Sequence, residues 1–182
     1  IMNIAIVGAT GNVGRKILEV LEKKELKIAN LYLLASSKSV GVKIKFKNKE
    51  YKVDDLNSFD FSKAKIIFFA AGRKISEKFA EKASKISLVI DNSSFFRMDP
   101  DVPLIVPQVN PKDLNKIKKN IIANPNCSTA QLVIALKPLH DLFAIKRVVI
   151  STYQSVSGAG KAPMDELKLS LIHISEPTRH CL

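Results

Sequence analysis

Asn3-Ile-Ala-Ile-Val-Gly-Ala-Thr-Gly-Asn-Val-Gly14 is the stretch that decides the fold. Its first five residues form a short apolar run of the kind that makes a buried parallel strand. Glycines at 8, 11 and 14 follow directly, and Val13, Ile17, Leu18, Val20 and Leu21 then recur at helical spacing between charged residues. A strand entering a helix through such a turn leaves no room for side chains, and it lets a pyrophosphate approach backbone N–H groups at the helix N-terminus. The spacing is Gly-x-x-Gly-x-x-Gly rather than the more familiar Gly-x-Gly-x-x-Gly. A glycine-rich turn can serve packing alone, but the strand-to-helix setting favours a ligand.

The rest of the chain repeats this alternation. Leu31–Ala35 reads as a second strand, Lys43–Lys47 with Tyr51–Val53 as an exposed hairpin, and Ile66–Ala71 as a buried strand. Ile75–Lys85 reads as a helix, Leu88–Ile90 as a strand, and Asn92–Pro111 as a polar, proline-marked loop. A short strand at Ile121–Ala123 leads into Asn124-Pro-Asn-Cys-Ser-Thr129 and a helical pattern that Pro138 should end or kink. Lys146–Thr152 is β-branched and reads as a last strand. Strands alternating with helices predict an α/β fold: a Rossmann-like, mostly parallel sheet with helices on both faces.

The end of the second strand bears on the cofactor. An enzyme selective for NAD places a carboxylate there to bond the ribose 2′-hydroxyl. Here the residues are Ala35-Ser36-Ser37-Lys38-Ser39. Hydroxyls and an ammonium suit the 2′-phosphate of NADP, which a carboxylate would repel; the competing reading is a solvated polar loop.

Bulk properties exclude several other classes. The net charge of +12 invites a nucleic-acid partner, but the excess is mainly lysine, scattered singly and without interleaved aromatic rings. No segment reaches the roughly 18 apolar residues of a membrane span, and no secretory signal opens the chain. Two cysteines, Cys127 and Cys181, make no disulfide framework, and a reducing cytoplasm is the expected setting. Nothing in the sequence asks for a metal.

Cys127 falls where a strand, a Pro-Asn turn and a helix meet. A thiol there meets the helix N-terminal dipole and backbone donors, which stabilise a thiolate. A lone cysteine is more often an inert packing residue; polar neighbours Asn126, Ser128 and Thr129 argue for a nucleophile instead.

Four linked motifs extend these readings: the glycine turn Gly8–Gly14, Asp91-Asn-Ser-Ser-Phe-Phe-Arg-Met-Asp-Pro-Asp-Val-Pro103, Asn124–Thr129, and Tyr153-Gln-Ser-Val-Ser-Gly-Ala-Gly-Lys161. In order and spacing, from about Asn3 to about Leu169, the chain resembles the aspartate-semialdehyde dehydrogenases. The resemblance implies that Gly8, Thr10, Gly11, Asn12, Val13 and Gly14 hold NADP at its phosphates, and that Ser36, Lys38 and Ser39 meet the 2′-phosphate. It puts Ser157 and Gly158 at the nicotinamide, and Arg97 and Asn126 with the substrate phosphate. Cys127 would be the nucleophile, with Gln154 orienting the substrate beside it. The implied reaction is NADPH-dependent reductive dephosphorylation of aspartyl phosphate to aspartate semialdehyde through a cysteine thioester. The implied domains are 2–152 for the cofactor and 153–169 as the start of a catalytic and dimerisation domain that is largely missing. The full-length form would be a homo-oligomer.

Some residues depart from that pattern. Gln108 stands where the family commonly has Glu. The family's catalytic histidine has no counterpart, since His140, His173 and His180 do not fit. Residues 170–182 no longer resemble the family and read as a non-native tail, so Cys181 has no expected role. Two alternatives stand beside the enzyme: an NADP-binding fragment without turnover, and a basic nucleic-acid-binding protein.

Overall fold

The computed structural model describes residues 2–24, 26–160 and 163–169. The chain divides into two compact units, Ile1–Ile145 and Lys146–Leu182.

In chain order the first unit contains β1 (Met2–Val7), α1 (Asn12–Lys23), β2 (Ile28–Ala35), β3 (Lys43–Phe46), β4 (Lys49–Asp55) and β5 (Ile66–Phe69). There follow α2 (Arg73–Ser84), β6 (Leu88–Asp91), β7 (Ile121–Ala123) and α3 (Cys127–Phe143). The strands form one seven-stranded sheet in the order β3-β4-β2-β1-β5-β6-β7. Every neighbouring pair is parallel except the β3–β4 hairpin. The strand order runs outward in opposite directions from β1 and β5, and such a topological switch point is where open α/β sheets bind ligands.

The apolar run of β1 is explained by burial on both faces. Ile4 and Ile6 join Leu33, Val53, Ile44, Phe46 and the α1 residues Leu18 and Leu21 in one core cluster. Ala5 and Val7 join Leu34, Ile67, Phe69, Val89 and the α2 residues Phe79, Ala80 and Ala83 in another. This is the two-residue alternation of a strand covered on both sides. On α1 the buried residues are Gly14, Leu18 and Leu21. Val13 and Val20, although apolar and at helical spacing, are 42% and 45% exposed because they fall outside that stripe.

The structure corrects two local expectations. Helix α3 continues beyond Pro138 to Phe143 and closes with Ala144 in the left-handed region, φ 50°. A proline deletes only one backbone donor, and the Lys137–Asp141 pair spans the position. The strand expected at Lys146–Thr152 does not form, and residues 144–155 are irregular. A β-branched run supplies propensity, but a strand also needs an edge to pair with, and this run has no ladder partner among the described residues. In the second unit, Val156–Ala159 makes a 3-10 turn and residues 163–169 are helical. The tail 170–182, with His173, His180 and Cys181, lies outside the described residues.

Candidate cofactor and nucleophile site

Val7 is level with Leu34 and Phe69, Phe69 with Asp91, and Asp91 with Ala123, so the parallel strands end along one line. Backbone bonds stitch their exits together. Gly8 N donates to Leu34 O at 2.8 Å and Ala70 N to Val7 O at 2.8 Å. Asn92 N donates to Phe69 O at 2.9 Å and Asn124 N to Asp91 O at 3.1 Å. The segments after β1, β2, β5, β6 and β7 therefore share one sheet edge, and they carry the glycine turn, Ser36–Ser39, Asn92, Arg97, Asn126 and Cys127.

Each glycine of the turn has its own steric reason. Gly8 adopts φ +87°, and a Cβ there would lie 2.9 Å from the Ala70 carbonyl carbon and oxygen. At Gly14 a Cβ would stand 2.2 Å from Gly8 O, so this glycine lets α1 lie against the strand exit. Gly11 differs: a Cβ would meet only Gly8 O, at 3.4 Å. Its missing side chain serves space outside the turn. Gly11 is also the N-cap of α1, with no side-chain cap bond and no acid in the first turn. The positive end of the helix dipole is thus offered to an anion with no side chain in its way. Asn12 and Val13 are exposed and Thr10 half-buried beside them. These features fit the pyrophosphate of a dinucleotide.

Ser37–Ser39 forms a 3-10 turn straight after β2, with Ser36 as its N-cap and Lys38 exposed. No carboxylate lies in this turn. The nearest in register is Asp55 on β4, level with Ala35. Its Oδ1 is engaged locally, accepting from Asn57 N and Nδ2, each at 2.9 Å.

Cys127 is exposed and opens α3. Asn126 caps that helix, its Oδ1 accepting from Ser128 N at 3.0 Å and from Cys127 Sγ at 3.7 Å. Arg97 reaches the same loop: Nε donates to Asn124 O at 3.0 Å and one terminal nitrogen to Asn92 O at 3.2 Å. Asn124 Nδ2 adds a bond to Asn92 Oδ1 at 2.6 Å. Beyond Arg97, Asp99 is tied to Lys119 at 2.9 Å. That ammonium, with the Asp101 N–H, holds the Asp99 carboxyl below the usual carboxylate range.

Gln154, Ser157 and Gly158 lie in the second unit. There the Ser157 N–H is capped by Ser155 Oγ at 3.3 Å and the Gly158 N–H by Ser155 O at 3.1 Å. His140 is exposed on α3. At about 1.5 Å per residue it stands roughly 20 Å along the helix from Cys127, too far for proton transfer. No cluster of metal-ligating side chains occurs among the described residues, and no helix among them is long and apolar enough to cross a membrane. Sequence reasoning missed the roles of Asn92, Asn124 and Asp91; an acid ending the apolar strand Leu88–Ile90 was the available signal.

Comparison with known proteins bears directly on this edge. A model for the semialdehyde dehydrogenase NAD-binding domain matches residues 3–117, and one for the semialdehyde dehydrogenase dimerisation domain matches residues 136–178. The chain belongs to the semialdehyde dehydrogenase family. An aspartate-semialdehyde dehydrogenase of Aquifex aeolicus is 54% identical over 168 residues, covering 91% of this chain and 49% of that protein. The crystal structure of aspartate semialdehyde dehydrogenase II from Vibrio cholerae complexed with ASA superposes with TM-score 0.91 at 45% identity, covering 99% of this chain and 55% of that one. Aspartate semialdehyde dehydrogenase with NADP from Candida albicans gives TM-score 0.68 at 29% identity, over 80% of this chain and 48% of that one. The chain spans about half the length of the curated relatives it matches.

As a member of this family, the chain carries a nicotinamide-cofactor-binding domain that includes the glycine turn, Ser36–Ser39 and Arg97. Gln154, Ser157 and Gly158 fall within the span of the dimerisation model. Cys127 lies between the two matched spans.

Proposed function

We propose that this chain is the cofactor-binding and nucleophile-bearing part of an aspartate-semialdehyde dehydrogenase, working in the cytoplasm with NADP as a homo-oligomer. The observation that carries the reading is the shared sheet edge, where the glycine turn, the Ser36–Ser39 turn, Arg97 and Cys127 all emerge. Residues 2–152 form the cofactor domain and 153–169 open the catalytic domain. Lys38, with Ser36 and Ser39, selects the 2′-phosphate, consistent with an NADP complex in a relative.

In the biosynthetic direction the Cys127 thiolate attacks the acyl carbon of L-aspartyl 4-phosphate. The C–S bond forms, the acyl C–O bond breaks, and phosphate leaves. Arg97, a guanidinium able to hold two oxygens at once, receives that phosphate. Asn126, as the α3 cap, sets the direction of the Cys127 side chain, and Gln154 orients the substrate. The nicotinamide cofactor, when bound, supplies the hydride that reduces the thioester. The oxyanion that develops there needs hydrogen-bond donors beside Cys127. Reformation of the C=O bond then expels the Cys127 thiolate and frees L-aspartate 4-semialdehyde.

The fraction of the relatives' length spanned by this chain favours a second reading for the 182-residue polypeptide by itself: NADP binding without turnover. One assay separates the two. NADP-dependent oxidation of aspartate semialdehyde is followed in phosphate buffer at the nicotinamide absorbance, with Cys127→Ala as control and NADPH binding measured in parallel. Activity abolished in the variant supports the enzyme. Binding without activity supports the second reading, and loss of both defeats each.

A further inference from the structure

Asp91 is the last residue of β6 and is wholly buried, with 0% exposure. A buried carboxylate carries a desolvation cost that only well-placed partners offset. Its partners are all donors. Oδ1 accepts from the Ser76 hydroxyl of α2 at 2.6 Å and from Ser93 N at 3.2 Å. Oδ2 accepts from the Ser93 hydroxyl at 2.7 Å, and Ser93 Oγ in turn accepts from Phe95 N at 3.1 Å. The segment between Asp91 and Arg97 is therefore held from its first residue by a relay of carboxylate, hydroxyl and amide. Phe96, 1% exposed, anchors its far end in the core against Phe95, ring centroids 4.7 Å apart. Arg97 leaves this clamped segment to bond Asn92 O and Asn124 O.

We propose that Asp91 is the positioning residue for Arg97: through Ser93 it fixes the 92–97 segment, and so the place at which the guanidinium meets an anion beside the Cys127 loop. The inference rests on the reading of Arg97 as the phosphate-binding residue. It predicts an unusual sensitivity to Asp91→Asn, a change of nearly equal size. The Ser93 N–H cannot reverse, so the amide oxygen must remain at the Oδ1 position and the NH2 group must take the Oδ2 position. The Ser93 hydroxyl then faces two donors, loses the acceptor for its own proton, and the link to Phe95 slackens.

The test uses the whole 182-residue chain. Exchange of the Arg97 Nε–H proton with solvent is measured by NMR, with inorganic phosphate titrated as the anion and NADPH binding as the control. Asp91→Asn and Ser93→Ala should each speed that exchange and weaken phosphate about tenfold, as loss of one hydrogen bond to a charged group would. NADPH binding should stay within about twofold, since the glycine turn is untouched. Ser93→Ala keeps the Asp91–Ser76 bond and guards against an Asp91→Asn variant that fails to fold. Unchanged Arg97 exchange in either folded variant overturns the inference, as does a parallel rise in amide exchange throughout β1 and β5. Phosphate binding that is absent in the parent, or unaffected by Arg97→Ala, overturns the phosphate reading instead. The exchange measurement judges Asp91 independently of that result.

Discussion

The glycine turn and the cysteine turn are both strand–turn–helix junctions on one sheet edge, yet they are built in opposite ways. Helix α1 has a glycine N-cap with no side-chain oxygen and buries Gly14, Leu18 and Leu21. Helix α3 has Asn126 as its cap, closed onto Ser128 N, and buries none of its residues. The first junction is rigid through close backbone packing and turns the positive end of its helix towards something from outside. The second satisfies its own donor and leaves a sulfur atom in the open. A site for a large bound anion and a site for a reacting atom thus impose different demands on the same motif.

The largest effect should come from closing the first junction. Gly14→Ala puts a Cβ 2.2 Å from Gly8 O and 2.8 Å from Ala9 Cα, neither of which can move without the strand exit. We expect a loss of about 3 kcal/mol in urea unfolding, as for a forced overpacking, with cofactor binding lost as well. An unchanged midpoint would break the contrast at its root. Gly11→Ala comes next and should separate binding from stability, because its Cβ meets a single atom at 3.4 Å. NADPH affinity should fall about tenfold in a fluorescence titration, while unfolding free energy moves by less than about 1 kcal/mol. Equal losses in both would mean that Gly11, too, serves packing.

Asn126→Ala tests the second junction. Removing an N-cap should cost about 1 kcal/mol of stability, and Cys127 alkylation, followed residue by residue by mass spectrometry, should change rate. NADPH affinity should stay the same, and a fall would show that the two junctions are coupled. The smallest effect belongs to the exposed face of α1, where Lys16 and Lys23 hold the Glu19 carboxyl down at about 2 from 4.5. A depressed folded-state value means that this contribution is present above about pH 4.5 and lost on acidification towards pH 2. Glu19→Gln should therefore narrow its stability gap from the parent as the pH falls through that window; a gap that widens would reverse the sign. Solvent screening keeps the gap small.

The contrast also explains what was legible in the sequence. Gly8, Gly11 and Gly14 act locally, through φ and close approach, so their spacing announced the turn and a nicotinamide cofactor. The β3–β4 hairpin was readable as a hairpin but not in its place: it was expected to be exposed, whereas β4 pairs with β2 and Ile44, Phe46 and Val53 are buried. Helix α3 and Lys146–Thr152 were less so. Whether Pro138 ends a helix, or a β-branched run pairs, depends on partners that no local pattern encodes. The role of Asp91 was harder to read for a related reason: the acid at the end of the strand was visible, but Ser76 reaches it only through the folded chain. The roles of Gln154, Ser157 and Gly158 came from resemblance alone.

The antiparallel hairpin at the sheet's margin has a further consequence. A strand with no neighbour on one side offers a row of unpaired backbone groups to any passing chain. Along β3 that row is punctuated by Lys43 and Lys45, both exposed. An incoming strand would have to draw their ammonium groups out of water or lie beside them unshielded. The sheet is thereby discouraged from growing by accretion at this margin.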